Sequence, residues 1–201
     1  MPEDGYVKFH CLHTPAPALP TEMLSELNCL RTDLVRAGLV GSLDNGIGYG
    51  NVSMRWKNGT FLVTATSTGH IPVLGPEGYC LVTGCDLDAN AVWCEGVMAA
   101  SSESMTHAAV YDASSVACCV VHIHHKVMYQ MLLDGHAPAT RSDASFGTPA
   151  MAKSVAELVR QHPADGVIAM TGHPDGIILY APSIDDMRDL LAMLAQGYIP
   201  A

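Results

Sequence analysis

The sequence has few basic residues for its length. Its 201 residues include ten Lys and Arg against twenty Asp and Glu, which gives a formal net charge of −10. An acidic surface of this kind repels nucleic-acid phosphates and anionic membrane headgroups. We therefore expect neither a nucleic-acid nor a membrane partner. An anionic small molecule remains compatible with this charge, because backbone amides and hydroxyl groups can bind phosphate without a basic patch.

The sequence also lacks paired cysteine motifs and long apolar runs. Its seven cysteines are odd in number and show no C-x-x-C spacing, so we expect free, mostly buried thiols and a reducing compartment. No apolar stretch approaches the roughly 20 residues that a membrane span needs, and no basic start precedes an apolar run as in a signal peptide. These absences predict a cytoplasmic protein.

The residues that are present suffice for one buried core. Hydrophobic residues make up 49% of the chain, and its length falls within the range of a single domain. Residues 1–20 hold three prolines and little periodicity, which indicates an arm laid over the domain or partly disordered. Residues 21–201 are expected to form the domain itself.

Helices and strands are expected to alternate along the domain. Apolar residues recur at helical spacing after Thr21, which can cap a helix, and Gly38 suits its C-terminal end. Short apolar runs bounded by turn residues indicate strands. The expected strands cover residues 51–56, 61–66, 79–83, 117–121, 167–170 and 177–180, and further helices cover 102–112 and 149–161 and follow Ser183. This order predicts an α/β (mixed α+β) fold in which helices cover a central, largely antiparallel sheet.

Histidines stand where two of the expected strands end. His122 and His124 close a buried strand, and residues two apart in a strand project from the same face. The two imidazoles can therefore chelate one metal ion, although polar residues at a strand end can also be simply solvated. A catalytic zinc site commonly has three protein ligands. His173 follows another buried strand and is the best candidate for the third, with a turn histidine as the alternative.

Three short segments are rich in groups that bind anions. Ser101-Ser102-Glu103 opens a predicted helix, where N–H groups and the helix dipole favour negative charge, although Ser and Glu are also ordinary capping residues. Thr66-Ser67-Thr68-Gly69 and Gly50-Asn51-Val52-Ser53 add hydroxyl, amide and glycine-backbone donors of the kind that surround phosphate. Each segment taken alone is a weak signal.

The order of these motifs resembles the class II aldolase/adducin family, and most closely its L-fuculose-1-phosphate aldolase-like members. The motifs are GNVS, TSTG, SSE with a histidine four residues on, HIH, FGT and GH. The resemblance implies the family fold, a zinc ion or another divalent metal such as Co²⁺ or Mn²⁺, and a homo-oligomer in the form of a cyclic tetramer. It implies the metal ligands His122, His124, His173 and Glu103. It also implies that the substrate phosphate is held by Gly50, Asn51, Thr68, Gly69, Ser101 and Ser102.

The same resemblance implies a lyase. A small sugar phosphate or related hydroxy-carbonyl compound would be cleaved through a metal-stabilised enediolate. Glu103 would be the catalytic proton shuttle and would ligate the metal when substrate is absent. His107, one helical turn after Glu103, suits a hydrogen bond to the ligand set rather than ligation. His125 faces away from His124 and is expected to pack or to bond a neighbour.

The sequence departs from the family pattern in places that keep other reactions open. Residues 126–145 form a shorter segment than the one that carries a catalytic tyrosine in the aldolases. Tyr129 lies in a predicted helix and is not assigned that role, and Asp143 is a weak candidate for the acid. Pro-Asp-Gly follows His173, and the sequence ends near Ala201, earlier than the aldolases. An epimerase, dehydratase or decarboxylase of the superfamily and a non-catalytic adducin-like module are the alternatives. Glutamate rather than aspartate in SSE favours the aldolases over the epimerases.

Overall fold

The computed structural model describes residues 7–197. Residues 1–6 of the predicted arm and 198–201 of the predicted domain lie outside the described residues. The described part of the chain contains the elements β1 His10–Pro15, α1 Thr21–Arg36, β2 Gly41–Ser42, β3 Gly48–Tyr49, β4 Asn51–Arg55, β5 Phe61–Thr64, β6 Tyr79–Asp86, β7 Ala91–Gly96, α2 Ser104–Ala113, β8 Cys119–His124, α3 Lys126–Asp134, α4 Pro149–Gln161, β9 Gly166–Ala169, β10 Gly176–Ala181 and α5 Ile184–Ala195.

Eight of the strands form one sheet in the order β1-β7-β6-β5-β4-β8-β10-β9, and β2 pairs with β3 separately. Every neighbouring pair of the large sheet is antiparallel except β1 and β7, which run parallel. Residues of α2 and α4 pack on one face, and residues of α1, α3 and α5 pack on the other. The predicted mixed α/β fold with a largely antiparallel sheet is therefore confirmed. Within residues 7–197, no helix is both long enough and apolar enough to cross a membrane.

Alternation along β8 decides which residues meet each layer of helices. Val120 packs in the core beneath α2 and α4, whereas Val121 and Ile123 pack in the core on the opposite face. Because the side-chain period of a strand is two, His122 and His124 belong to the same face as Val120. The sheet thus directs both histidines towards the layer that contains α2.

Four strands were not anticipated from the sequence: β1, β7 and the short pair of β2 and β3. β7 follows β6 in an antiparallel pair, and its residues alternate between buried and exposed. β1 lies within the predicted arm and adds to the sheet edge, with Cys11 opposite Val92. The boundary between arm and domain at residue 20 stays a prediction. One capping prediction is wrong: α1 begins at Thr21 itself, after Pro20, and has no side-chain cap.

Other local predictions are confirmed by the helix ends. Gly38 has a φ of 71° just after α1, and its N–H donates to the carbonyl of Val35 at 3.0 Å. The hydroxyl of Ser183 accepts from the N–H of Asp186 at 3.0 Å and caps α5. All seven cysteines are free thiols, although only Cys80, Cys94 and Cys119 are fully buried.

Arg31 links α1 to the loop that carries Thr68. Its side chain is 1% exposed, and its guanidinium donates to the carbonyl of Thr68 at 2.8 Å, of Ile71 at 2.5 Å and of Pro72 at 3.1 Å. The planar guanidinium spreads its donors widely enough to satisfy three carbonyls of the loop at once, which an apolar residue cannot do. The loop therefore depends on this buried cation for its conformation.

We predict that Arg31→Met lowers the free energy of unfolding by about 2–4 kcal/mol, because three inward-facing carbonyls lose their donor. Arg36→Met is the control, since Arg36 is 74% exposed and pairs only with Asp33 on the surface; its effect should stay within about 0.5 kcal/mol. Urea denaturation of both variants measures the difference. Equal effects of the two substitutions would contradict the role assigned to Arg31.

Candidate active site

Three histidines meet at one point between β8 and the turn that joins β9 to β10. The Nε2 atom of His122 lies 3.1 Å from Nε2 of His173 and 3.1 Å from Nε2 of His124. The Nε2 atoms of His124 and His173 are 3.0 Å apart. These are the three residues whose ligand atoms form a candidate metal group within the described chain. The structure therefore brings together the three histidines that the sequence pattern singled out.

The donor set fits a divalent metal. The three nitrogen atoms form a nearly equilateral triangle with sides of 3.0–3.1 Å, and its corners lie about 1.8 Å from its centre. One ion slightly above that centre can therefore contact all three at the zinc–nitrogen distance of about 2.0–2.1 Å. His122 Nδ1 lies 3.1 Å from the carbonyl of Ile177. Since a carbonyl only accepts, Nδ1 carries the proton and donates, which leaves the lone pair of a neutral ring on Nε2. A carbonyl behind a histidine is a common way of orienting a metal ligand.

Burial keeps these imidazoles neutral. Loss of hydration lowers the pKa of His124 to about 4. Burial, followed by the neighbouring His124 and Lys8, lowers the pKa of His173 to about 2. The pKa of His122 is also well below its ordinary value, because of burial first and then the two other imidazoles. Neutral rings at pH 7 present lone pairs, as metal ligation requires.

A cavity of about 220 Å³ opens beside His122. All six predicted phosphate-binding residues line it together with Glu103. Glu103 is 2% exposed, and its Oε2 accepts a hydrogen bond from the hydroxyl of Thr106 at 2.7 Å. Glu103 lies outside the group of three histidines, so its service as a fourth ligand stays a prediction. The carboxylate nevertheless shares one cavity with the first of those histidines.

Close backbone packing shapes the cavity wall. A β-carbon on Gly69 would lie 2.1 Å from the carbonyl oxygen of Gly41, so only glycine fits there. Gly50 has a φ of 73°, and a β-carbon on it would lie 3.0 Å from the carbonyl of His122. The buried side-chain oxygen of Asn51, which also lines the cavity, has no hydrogen-bond partner among the described residues. These features leave backbone and amide groups accessible to a ligand.

A turn fixes the third histidine. The N–H of His173 donates to the carbonyl of Met170 at 2.7 Å, and the N–H of Gly176 donates to the carbonyl of His173 at 2.9 Å. A β-carbon on Gly172 would lie 1.6 Å from the carbonyl oxygen of Ala144, so glycine allows the approach that the sequence suggested. The Pro-Asp-Gly sequence after His173 is thus accommodated in a hydrogen-bonded turn.

The imidazole ring of His107 makes no hydrogen bond to the predicted ligand set. It is fully buried, and its Nδ1 lies 2.7 Å from the hydroxyl of Ser53, which in turn lies 2.7 Å from the hydroxyl of Tyr111. Its Nε2 has no hydrogen-bond partner among the described residues. The predicted bond to the metal ligands is therefore wrong, because Ser53 of the GNVS motif takes that ring nitrogen. Burial lowers the pKa of His107 to about 3, so this ring is neutral as well.

The remaining candidates lie outside the site. His125 caps α3, where its Nδ1 accepts from the N–H of Met128 at 3.1 Å, so its predicted bond to a neighbour is confirmed. Asp143 pairs with Arg141 at 2.6 Å on the surface, and it is 68% exposed. Asp143 does not line the cavity beside His122, and its role as the acid stays a prediction; Tyr129 lies in α3 as expected.

Two aromatic neighbours of the histidines were not predicted. The ring of Phe146 stacks on His173 with 4.5 Å between centroids and 28° between planes. The ring of Tyr49 lies 5.9 Å from that of His124 at 51°. Phe146 belongs to the FGT motif, and Tyr49 directly precedes the GNVS motif. Their positions in or beside a motif were the only sequence signal that they lie near the site. Neither contact has a periodic pattern that would predict it.

Comparisons with known proteins identify the fold and family. Residues 41–197 match the family model described as the class II aldolase and adducin N-terminal domain. None of the curated proteins compared with this chain matches it.

Three solved structures illustrate the similarity of fold. The first is YgbL from Klebsiella pneumoniae, which is described as an aldolase, epimerase or decarboxylase. Its TM-score is 0.65 and its sequence identity is 16%, and the match covers 88% of this chain and 86% of YgbL. The second is L-fuculose-1-phosphate aldolase from Thermus thermophilus, with a TM-score of 0.57 and 23% identity. The match covers 90% of this chain and 100% of the aldolase chain. The third is a sugar-phosphate aldolase from Thermotoga maritima, with a TM-score of 0.55 and 14% identity. The match covers 90% of this chain and 98% of that aldolase chain.

At these identities the structures show a shared fold, and the family model covers more than half of the sequence. The family expected from the motifs is thereby confirmed. The chain belongs to the class II aldolase and adducin N-terminal domain family.

Proposed function

We propose that this protein is a metal-dependent, aldolase-like lyase that acts on a small sugar phosphate or a related hydroxy-carbonyl compound. The observation that carries the proposal is the convergence of three neutral imidazole nitrogens beside a cavity lined by glycine, hydroxyl and amide groups. Metal ligands and anion donors in one cavity suit a substrate that has a carbonyl at one end and a phosphate at the other.

His122, His124 and His173 would hold the metal, and zinc suits three nitrogen ligands with an open position. When bound, such a metal supplies a Lewis acid that withdraws charge from a substrate carbonyl oxygen as the neighbouring carbon–carbon bond breaks. Co²⁺ or Mn²⁺ would supply the same chemistry. The carbonyl of Ile177 supports this arrangement because it fixes the tautomer of His122.

The chain itself would bind the phosphate and move the proton. Gly50, Asn51, Thr68, Gly69, Ser101 and Ser102 line the cavity wall and offer N–H, amide and hydroxyl donors. α2 begins at Ser104, directly after the cavity-lining residues Ser101, Ser102 and Glu103, so the positive end of the helix dipole lies at the cavity. The carboxylate of Glu103, oriented by Thr106, would carry a proton to or from the substrate carbon next to the carbonyl.

The family and the acidic composition support the wider setting that we propose. The protein would act in the cytoplasm as a homotetramer, without a nucleic-acid or membrane partner. Several apolar side chains are more than a third exposed, among them Leu12, Trp93 and Val97, and these are the residues that a subunit interface would cover.

We predict that protein purified without chelator binds about one divalent metal per chain and that His173→Gln weakens zinc binding by more than about 100-fold. His162→Gln is the matched control, because His162 ends α4 at the surface and should leave zinc binding unchanged. Elemental analysis and competition with a chromophoric chelator measure stoichiometry and affinity. A wild-type site that stays empty in added zinc would instead favour a non-catalytic, adducin-like module.

The lowered histidine pKa values predict an unusual pH dependence of metal binding. A histidine with an ordinary pKa near 6.5 is mostly protonated at pH 5.5, so three such ligands would lose on the order of 10³-fold in zinc affinity between pH 7.5 and 5.5. Here His124 and His173 have pKa values of about 4 and 2, so protons do not compete until the pH falls much further. We expect the zinc dissociation constant of the folded protein to change less than about 3-fold over that range. A 100-fold weakening would show that the rings titrate normally.

Product analysis tests the reaction. We expect the metal-loaded protein to cleave at least one member of a panel of ketose phosphates, including fuculose and ribulose phosphates, into a three-carbon ketone and an aldehyde, with the phosphate on the ketone when the substrate is a 1-phosphate. Glu103→Gln should retain the metal but lose at least about 10²-fold in turnover, because it removes the proton carrier and leaves the three histidines intact. Glu95→Gln, on an exposed position of β7, is the control that should keep full activity.

Chromatography and nuclear magnetic resonance of the products separate the alternatives. An isomer of the starting pentulose phosphate would identify an epimerase, loss of water a dehydratase, and release of carbon dioxide from a keto acid a decarboxylase. Unchanged turnover in Glu103→Gln would remove Glu103 from the mechanism. A metal-loaded protein that transforms none of these compounds would contradict the lyase proposal.

A further inference from the structure

Residues 7–9, which directly precede β1, pack against the domain. Phe9 is buried in the core beneath α2 and α4, with 6% of its surface exposed. Asn90 binds the segment twice: its side-chain amide donates to the carbonyl of Lys8 at 3.2 Å, and its own carbonyl accepts from the N–H of His10 at 2.8 Å. The backbone at and after Lys8 is thus fixed, and the Lys8 side chain leaves the segment from a defined position.

The Lys8 side chain reaches the candidate metal centre. Its Nζ lies 3.3 Å from the centroid of the Phe146 ring and donates to the hydroxyl of Ser145 at 2.9 Å. The start of the Lys8 side chain lies near Gly147: a β-carbon built on Gly147 would lie 3.8 Å from Cβ of Lys8 and 3.7 Å from Oε1 of Glu103. Lys8 and Glu103 therefore both lie next to Gly147, which directly follows Phe146.

Phe146 connects this cation to a metal ligand. Lys8 lies over the ring of Phe146, and that ring stacks on the imidazole of His173 with 4.5 Å between centroids. The negative potential at the face of an aromatic ring attracts a cation, and the ring also packs favourably on a second flat ring. Ammonium, phenyl and imidazole thus form a continuous column that ends at a proposed ligand.

His173 differs from the other two histidines because its backbone is held by a turn and not by strand pairing. His122 and His124 project from β8, where pairing with β10 on one side and β4 on the other fixes the backbone. His173 lies in the turn between β9 and β10, outside the strands. The column of Lys8 and Phe146 packs directly on this imidazole and restricts its rotation.

We propose that Lys8 is a positioning residue of the metal centre, which holds the imidazole of His173 through the ring of Phe146 so that its Nε2 faces those of His122 and His124. The inference rests on the proposed metal site and extends it to the N-terminal segment. Lys8 acts through Phe146 and is not assigned a contact with substrate or metal.

Two effects of Lys8 on metal affinity have opposite signs, and this makes the proposal testable. A positive charge near the site repels a divalent cation, so removal of the charge alone would strengthen metal binding. Loss of the column would let the His173 ring rotate and would weaken binding, as happens when groups that orient metal ligands are removed. The direction of the change therefore separates a positioning role from a simple charge effect.

The experiment measures zinc affinity by competition with a chromophoric chelator and the visible absorption of the Co²⁺-loaded protein. We expect Lys8→Met to weaken zinc binding about 3- to 10-fold and to alter the Co²⁺ spectrum. Lys8→Arg should restore both, since a guanidinium also stacks on an aromatic ring. Lys153→Met is the control: Lys153 pairs with Asp88 at 2.8 Å on the surface, and its loss should change neither readout.

A double-mutant cycle with Phe146→Leu completes the test. We expect Lys8→Met to have no further effect on zinc affinity in the Phe146→Leu background, because the column is already broken. Lys8→Gln replaces Lys8→Met if circular dichroism shows that methionine disturbs the fold. Unchanged or tighter zinc binding in the Lys8 variants, with an unaltered Co²⁺ spectrum, overturns the inference while the metal site itself stands. Failure of the wild-type protein to bind zinc or Co²⁺ overturns both proposals.

Discussion

The register of β8 between β4 and β10 is the constraint on which the site depends. His122 lies opposite Asn51 of β4 and Ile178 of β10, and His124 lies opposite Gly176. A shift of one residue would turn both histidines to the other face of the sheet and place apolar side chains at the cavity. The same pairing sets an amide from the GNVS segment next to the first histidine and places the turn that carries the third histidine beside the second.

Local sequence patterns predict many of the individual strands and helices around β8. The apolar run before His122 and the helical spacing of α4 are visible in a window of a few residues, and α4 spans Pro149–Gln161 as expected. The ordered motifs placed the phosphate-binding candidates in one family pattern, and the structure places all six around one cavity. The sequence was thus informative for α4, for the strand that carries His122 and for the cavity-lining motifs.

Contacts between distant parts of the chain were not predictable in this way. β1 pairs with β7 across roughly 80 residues, and a parallel pairing of that separation leaves no local periodic signal. Lys8 bonds to Ser145 across 137 residues, so nothing near either residue indicates the contact. His107 was expected to bond to the ligand set one turn away, but the three-dimensional packing gives its ring nitrogen to Ser53 of another strand.

The polar groups buried at the site bear on the choice between an enzyme and a scaffold. Asn51 and His107 each bury a polar atom that has no hydrogen-bond partner among the described residues, and such an atom costs about 1–3 kcal/mol in folding free energy. Three neutral imidazoles with converging lone pairs add a further cost that apolar residues would avoid. A module that served only to oligomerise would gain stability by replacing these groups. Asn51 lines the cavity beside His122, so the unpaired oxygen of its side chain is a group that a bound ligand would satisfy, as in a ligand-binding site.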